Sequence, residues 1–168
     1  MSARLAGLFT EIDPPSLANP TLNFLKQYWD GKRGARAMPC RADIRPAEMK
    51  EHLGSVVLVD VLPGFEDFRY RTVGTKVTRY MMGGATGKTV REVFARYGEA
   101  AVNGTLATYR KCARDRAIVH AWGGTEWLGH DFLDFDSLYL PLSDDGRDVN
   151  MVLSAVTFEP AGQVKAKK

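Results

Sequence analysis

The chain has few cysteines and few histidines, and this limits the chemistry available to it. Cys40 and Cys112 are too few for a disulfide framework and are not spaced as metal ligands. The three histidines are His52, His120 and His130, and none lies within one helical turn of Cys, Asp or Glu residues arranged as a metal site. We therefore predict no metal centre.

Long apolar runs and an excess of charge are also missing. No run approaches the roughly 20 apolar residues of a membrane helix, and the N-terminus lacks the apolar core of a secretory signal. The net charge is +3, and three lysines stand in the last four positions, so the remaining chain is nearly neutral. A basic nucleic-acid-binding face is therefore not indicated. We predict a cytoplasmic protein that binds neither membrane nor nucleic acid.

A β-hairpin is the strongest local signal in the chain. Ser55–Leu62 is rich in β-branched residues, and Asp67–Gly74 alternates in the period-2 pattern of a half-buried strand. The link Pro63-Gly64-Phe65-Glu66 has turn chemistry. With 168 residues, 45% of them hydrophobic, the chain can bury one good core around this hairpin.

The N-terminal residues predict two helices of different strength. Residues 1–18 form an N-terminal arm. Four of its residues fall at helical spacing and indicate either a short amphipathic helix or a frayed end: Leu5, Leu8, Phe9 and Ile12. A firmer helix begins at Pro20, because Asn19 is a good N-cap and proline is favoured at the first helical position. Its apolar stripe predicts either packing on the sheet or a dimer interface; the stripe residues are Leu22, Leu25 and Trp29.

The second half predicts a helix followed by strands. Glu99–Arg114 has helical periodicity, and Asp144-Asp145-Gly146 is a strong hairpin signal between two strand patterns. The glycine-rich segment Gly83–Thr89 lacks the spacing of a P-loop and is read as a turn. The three predicted strands of this half are Arg116–Trp122, Phe132–Leu142 and Val149–Glu159. The element order predicts an α+β fold with an antiparallel sheet.

Several short motifs follow one another in a fixed order along the chain. They are Tyr28-Trp29, Arg33-Gly34, Met38-Pro39, Arg41-Ala42-Asp43-Ile44 and Pro46, then Asp67-Phe68-Arg69-Tyr70-Arg71, Val73-Gly74-Thr75 and Leu140-Pro141-Leu142-Ser143-Asp144-Asp145-Gly146. Together they resemble the PAS domain family, in particular the PAS_5 group common in alphaproteobacteria. The resemblance spans about Phe24 to Phe158.

The resemblance implies a five-stranded antiparallel sheet with helices on one face and flanking N-terminal helices. On this basis we assign residues 19–54 to flanking helices, 55–160 to the PAS-like core and 161–168 to a basic tail. It also implies a stand-alone bacterial sensory or regulatory module that binds a small molecule, a signalling partner protein or both, and that forms a homodimer. A constitutive dimerisation or adaptor protein without a ligand is the alternative.

A ligand pocket is expected between the sheet and the helices, lined by apolar side chains with a few polar tips. The candidate ligand-binding residues are Tyr70, Tyr80, Met81, Phe94, Tyr109, His120 and Trp122. Neither cysteine has the Asn-Cys-Arg-Phe context of flavin photosensors, and Lys76–Gly98 offers no histidine to a haem. The cofactor, if any, stays unknown.

An enzyme is the third and least favoured interpretation. No nucleophile-elbow, zinc-protease or dinucleotide motif is present. A divalent-metal site is conceivable if His120 and His130 face each other across a strand pair near Asp131, Asp134 or Asp136. We predict no catalytic residues.

Overall fold

The computed structural model of the chain describes residues 8–129, 132–162 and 164. Its centre is a six-stranded antiparallel sheet with the strand order β1-β4-β5-β6-β2-β3. The strands are β1 (Phe9–Ile12), β2 (Val56–Val61), β3 (Phe68–Val73), β4 (Val119–Gly124), β5 (Leu133–Leu142) and β6 (Met151–Pro160). The helices are α1 (Pro20–Arg33), α2 (Thr75–Thr78), α3 (Val90–Phe94) and α4 (Glu99–Asp115). The predicted α+β class is confirmed, with six strands instead of five.

Helix α1 begins where its capping residues predict. The Asn19 side chain accepts hydrogen bonds from the backbone N–H groups of Thr21 and Leu22, and Pro20 occupies the first helical position. The helix ends before Gly34, whose φ of +56° is easily adopted by glycine. Three 3₁₀ turns, Arg41–Asp43, Pro46–Met49 and Leu53–Ser55, then lead the chain into the hairpin.

The apolar stripe of α1 packs inside the chain. Leu22 and Leu25 are fully buried and Trp29 is 5% exposed, because α1 lies against β5 and β6. In this structure the three side chains are therefore covered by the sheet and are not available on the surface to a second copy. The dimer interface expected at these positions is replaced by the packing alternative. The homodimer itself stays a prediction.

The amphipathic helix predicted for the arm is wrong over the residues that the structure describes; Leu5 lies outside them. Phe9–Ile12 forms β1, which pairs antiparallel with β4 at the edge of the sheet. Asp13 reinforces the pairing, because its N–H donates to the Ile118 carbonyl at 2.8 Å and its side chain accepts from the Ile118 N–H at 3.0 Å. This pairing is non-local, so the helical spacing of a few residues could not reveal it.

The predicted hairpin forms β2 and β3, with a register shift between Leu58 and Val59. The chain leaves β3 through Gly74, which lies against the backbone of the preceding segment. A Cβ atom at Gly74 would stand 2.1 Å from the carbonyl oxygen of Gly54, so no other residue fits there without moving the backbone. This close approach fixes the start of α2 against the turn that precedes β2.

The two faces of the sheet are covered by different helices. Helix α4 packs on β4, β5 and β6 from one side, and its buried face includes Leu106 and Tyr109. Helix α1 covers β5 and β6 from the other side. The apolar residues of both layers join in one hydrophobic cluster. No helix in the described ranges is long and apolar enough to cross a membrane.

The glycine-rich segment between α2 and α3 pairs with the outer edge of β3. The Tyr70 N–H donates to the Lys88 carbonyl at 2.9 Å, and the Gly87 N–H donates to the Tyr70 carbonyl at 2.7 Å. Arg69 and Thr89 form an isolated antiparallel bridge beside them. The segment is thus a turn, as predicted, and it is held to the sheet.

Candidate ligand cavity

A cavity of about 70 Å³ lies between α4 and the sheet face that α4 covers. A cavity needs on the order of 10–15 Å³ to hold one water molecule, so this one has room for roughly five waters or one small aromatic ring. Its wall is built by the sheet, the helical middle and the residue before β1. The lining residues are Leu8, Tyr70, Met81, Met82, Phe94, Ala101, Gly104, Thr105, Thr108, Tyr109, Ala121, Gly124, Trp127, Phe135, Tyr139 and Val156.

Three tyrosines give the cavity most of its polar character. Tyr70 comes from β3, Tyr109 from α4 and Tyr139 from β5. Burial raises the pKa of all three phenols, and the nearby Tyr109 and Tyr139 raise the pKa of Tyr70 further. The hydroxyl groups therefore keep their protons at neutral pH. Each already has a hydrogen-bond partner inside the protein, because Tyr109 bonds to Tyr70 and Ser154 and Tyr139 bonds to Ser137.

The lining carries no charged side chain. None of the lining residues is Lys, Arg, His, Asp or Glu. The remaining polar groups are partly engaged, since the Thr108 hydroxyl donates to the Gly104 carbonyl and the Trp127 indole N–H donates to the Gly124 carbonyl. A charged molecule placed here would lose its hydration without meeting an opposite charge, which costs several kcal/mol.

The structure brings together four of the seven predicted ligand-binding residues. Tyr70, Met81, Phe94 and Tyr109 line the cavity. Tyr80 does not; its ring lies 4.8 Å from the ring of Phe158. The three residues that do not line the cavity are Tyr80, His120 and Trp122.

His120 and Trp122 lie on the other face of the sheet. Successive strand residues point to opposite faces, and on β4 the cavity side is taken by Ala121. The prediction that His120 and Trp122 line the cavity is therefore wrong, because it assigns the alternating residues of β4 to the opposite faces of the sheet. Strand β4 is buried on both faces, so its sequence VHAWGG shows no polar alternation that could have fixed the direction.

Sequence reasoning missed several wall residues. Phe135 stands between Asp134 and Asp136 on β5, and this alternation gives its direction, whereas Tyr139 lies between two leucines and has no such signal. Trp127 belongs to a short 3₁₀ turn, Glu126–Leu128, whose position over the cavity no local pattern indicates. Leu8 reaches the wall only because β1 pairs with β4.

A polar network occupies the opposite face of the sheet. His120 is 3% exposed, and its Nε2 lies 2.6 Å from Asp136 Oδ1. The Asn19 amide donates to Asp136 Oδ2 at 3.2 Å and to the Thr157 hydroxyl at 2.7 Å. The N-cap of α1 thus joins the helix to β5 and β6.

No group of three or more His, Cys, Asp or Glu side chains in the described part of the chain could hold a metal ion. The conceivable metal site paired His120 with His130 near Asp131, Asp134 or Asp136. His130 and Asp131 lie outside the described residues. His120 does lie beside Asp136, one of the three aspartates considered for that site. The two side chains form a histidine–carboxylate pair.

Comparisons with known proteins agree with this architecture. A sequence model described as a PAS domain matches residues 17–157, which is most of the chain. The chain therefore belongs to the PAS domain family, a class of sensory modules. No curated protein matches it.

Among solved structures, the chain is similar to one described as "Structure of an RNA-binding Light-Oxygen-Voltage Receptor". The two share 12% sequence identity and superpose with a TM-score of 0.50 over 89% of this chain. The match spans 38% of the length of that receptor. At this identity the likeness shows a shared fold alone.

Proposed function

We propose that this chain is a sensory PAS domain that detects a small, uncharged organic molecule in the cavity between α4 and the sheet. The observation that carries the proposal is the uncharged wall with three buried tyrosine hydroxyls. An apolar pocket with a few polar groups is the usual form of a small-molecule site. A ligand with a carbonyl or ether oxygen would accept a hydrogen bond from one of these hydroxyls in place of its partner inside the protein, such as Ser137 for Tyr139.

The size of the cavity sets the size of the ligand. Space for about 70 Å³ suits a molecule built around one ring. Haem and flavin are much larger and would need a different packing of α4. The proposed ligand is therefore a small metabolite and not either of these cofactors.

A signal would leave the cavity through the elements that form its wall. Tyr109 on α4 and Ala121 on β4 both line the cavity, so a bound molecule would contact the helix layer and the sheet at the same time. Binding changes the output only if the ligand prefers one packing of these elements. We propose that the output is the affinity for a partner protein or for a second copy of the chain.

A non-catalytic role fits the same wall. Its side chains include no His, Cys, Asp, Glu or Lys, so the usual general bases and most nucleophiles are missing there. An adaptor without a ligand is the second candidate. It is favoured by one observation, the apolar side chains of Phe9 and Ile12, which are 51% and 40% exposed on the edge strand.

Defined probes test the ligand class. We would compare acetophenone, which is uncharged and has an acceptor oxygen, with benzoate, which has a similar shape but carries a charge, and follow the melting temperature at matched concentrations. The expected result is a rise in melting temperature with acetophenone and none with benzoate. Equal or tighter binding of benzoate would overturn the proposal.

A pair of matched variants places the binding in the cavity. Ala121→Leu fills space on the cavity wall, whereas Ala107→Leu makes the same change on the exposed face of α4. We expect acetophenone to stabilise Ala107→Leu but not Ala121→Leu. Native mass spectrometry of the freshly purified protein then shows which molecule, if any, is retained, and how many chains are present.

A further inference from the structure

One nitrogen of His120 has no hydrogen-bond partner. The ring is 3% exposed, its Nε2 is engaged by Asp136 at 2.6 Å, and its buried Nδ1 bonds to nothing in the described structure. The carboxylate nearest to Nδ1 is that of Glu11 on β1, with Oε2 at 4.0 Å. A buried polar atom without a hydrogen-bond partner lowers the stability of the fold, so such atoms are rare and often have a functional reason.

The surroundings of His120 are acidic on three strands. Asp136 on β5 faces Nε2 and Glu11 on β1 faces Nδ1. Glu159 on β6 joins the network through the Asn19 amide, which lies 3.3 Å from its Oε1. Within the described residues no Lys or Arg forms an ion pair with any of these three carboxylates.

The position of the proton on the ring follows from these contacts. Asp136 accepts the Asn19 amide and stands 2.6 Å from Nε2, so a neutral His120 carries its proton on Nε2. Nδ1 then presents a lone pair toward the Glu11 carboxylate, and no bond forms. A second proton turns Nδ1 into a donor, and a small rotation of the half-exposed Glu11 side chain brings an oxygen within bonding distance.

We propose that His120 and Glu11 form a proton-operated latch that fastens β1 to the rest of the sheet. The protonated ring bridges Asp136 and Glu11 and so ties β5 to β1. The neutral ring holds only Asp136. The two states thus differ by one proton on Nδ1 and by one hydrogen bond across to β1.

The strand under this latch is the one with the fewest other attachments. β1 has four residues, lies at the edge of the sheet, and leaves Phe9 51% exposed. Its main side-chain contact with β4 is the stacking of Phe9 on Trp122, with ring centroids 5.8 Å apart. One hydrogen bond to a charged group would therefore add to the four-residue pairing with β4 and to the two bonds of Asp13.

The latch would also act on the cavity, and this part rests on the proposed function. Leu8, which precedes β1, is part of the cavity wall and lies near Gly104 of α4. Tightening β1 holds Leu8 in place, and loosening it opens the wall at that point. Protonation would thus control how easily a ligand reaches or leaves the cavity.

The test follows the backbone amides of β1 without any ligand. Hydrogen exchange of residues 9–12, corrected for intrinsic rates, is measured at about pH 5.5 and about pH 8, on either side of the range where imidazole titrates. We expect roughly tenfold more protection at the lower pH, the effect of one hydrogen bond to a charged group. The His120 ring is followed in parallel by NMR.

Two glutamate variants identify the partner. Glu11→Gln should abolish the pH dependence of β1 protection. Glu159→Gln removes an acid from the same network but not from the Nδ1 side, and should leave the dependence in place. Unchanged protection across this pH range, an intact dependence in Glu11→Gln, or a His120 ring that does not titrate would each overturn the latch. These readouts use no ligand, so their failure is distinguishable from failure of the acetophenone experiment.

Discussion

The indole N–H of Trp29 donates to the carbonyl oxygen of Pro141 across 2.8 Å and thereby joins α1 to β5. The bond is buried, since Trp29 is 5% exposed. Trp29→Phe should lower the free energy of unfolding by about 1–3 kcal/mol, because it leaves the carbonyl without its donor. Urea denaturation measures this. Tyr28→Phe is the control. It removes a hydroxyl that donates to Glu48 and accepts from the Arg45 N–H, but it should cost less than Trp29→Phe because water can reach both partners.

Charge placed under α1 should unfold the protein and not merely separate subunits. Leu25 is completely buried against the sheet, so the carboxylate in Leu25→Glu would have no water and no partner. We expect loss of the native near-ultraviolet circular dichroism signal. A folded Leu25→Glu monomer that elutes later than the wild type in size-exclusion chromatography would instead show that this residue lies between subunits. Gln27→Glu, at an exposed position of the same helix, should leave the fold intact.

The two roles of Asn19 can be separated by substitution. Asn19→Ser keeps an oxygen for the helix cap and loses the donor to Asp136, whereas Asn19→Asp keeps the cap and adds a carboxylate beside Asp136 and Glu159. We expect Asn19→Asp to be the less stable variant by at least about 1 kcal/mol near neutral pH. Its deficit should shrink as the pH falls and the crowded acids take up a proton. Equal stabilities would show that the cap alone matters.

Two glycines should respond to alanine in opposite directions. Gly104 lies inside α4, and an added Cβ would meet only Leu8 Cδ2 at an ordinary 3.6 Å, so Gly104→Ala should raise the free energy of unfolding by about 0.5–1 kcal/mol. Gly74→Ala places its Cβ 2.1 Å from the Gly54 carbonyl oxygen and should prevent normal folding. Thermal denaturation of both variants measures the contrast.

The turn between β5 and β6 should be sensitive to acid. Asp145 accepts hydrogen bonds from the N–H groups of Arg147 and Asp148, and these lower its pKa to about 2. Its stabilising effect is therefore complete above the unfolded-state value of about 4 and is lost as the pH falls through about 2. Wild type should exceed Asp145→Asn in melting temperature at about pH 5, and the difference should narrow toward about pH 2. A constant difference would contradict the assignment.

The parts of the fold that local chemistry determines could be predicted from the sequence. Asn19 and Pro20 specify where α1 begins, and the turn residues between β2 and β3 specify the hairpin. These signals act over a few neighbouring residues. The family resemblance added the PAS-like antiparallel sheet, with five strands where the structure has six.

The cavity could be predicted only in part, because its wall depends on which way each strand faces. Tyr70 alternates with exposed arginines on β3, and this pattern gives its direction. His120 and Trp122 belong to a strand buried on both faces, where a shift of one residue changes nothing in the pattern. Leu8 enters the wall through a pairing with β4 that is distant in sequence.

The attachment of Gly87 and Lys88 to Tyr70 has a consequence for assembly. A strand whose outer N–H and C=O groups are already bonded offers no template to another molecule, so the β3 side of the sheet is closed along this stretch. In the part of the chain that the structure describes, β1 is the other edge strand, and its outer edge remains open for pairing. A sheet that can grow on one side only can join one other copy edge to edge and then stops. Strand addition would therefore end at a pair and could not propagate into a fibre.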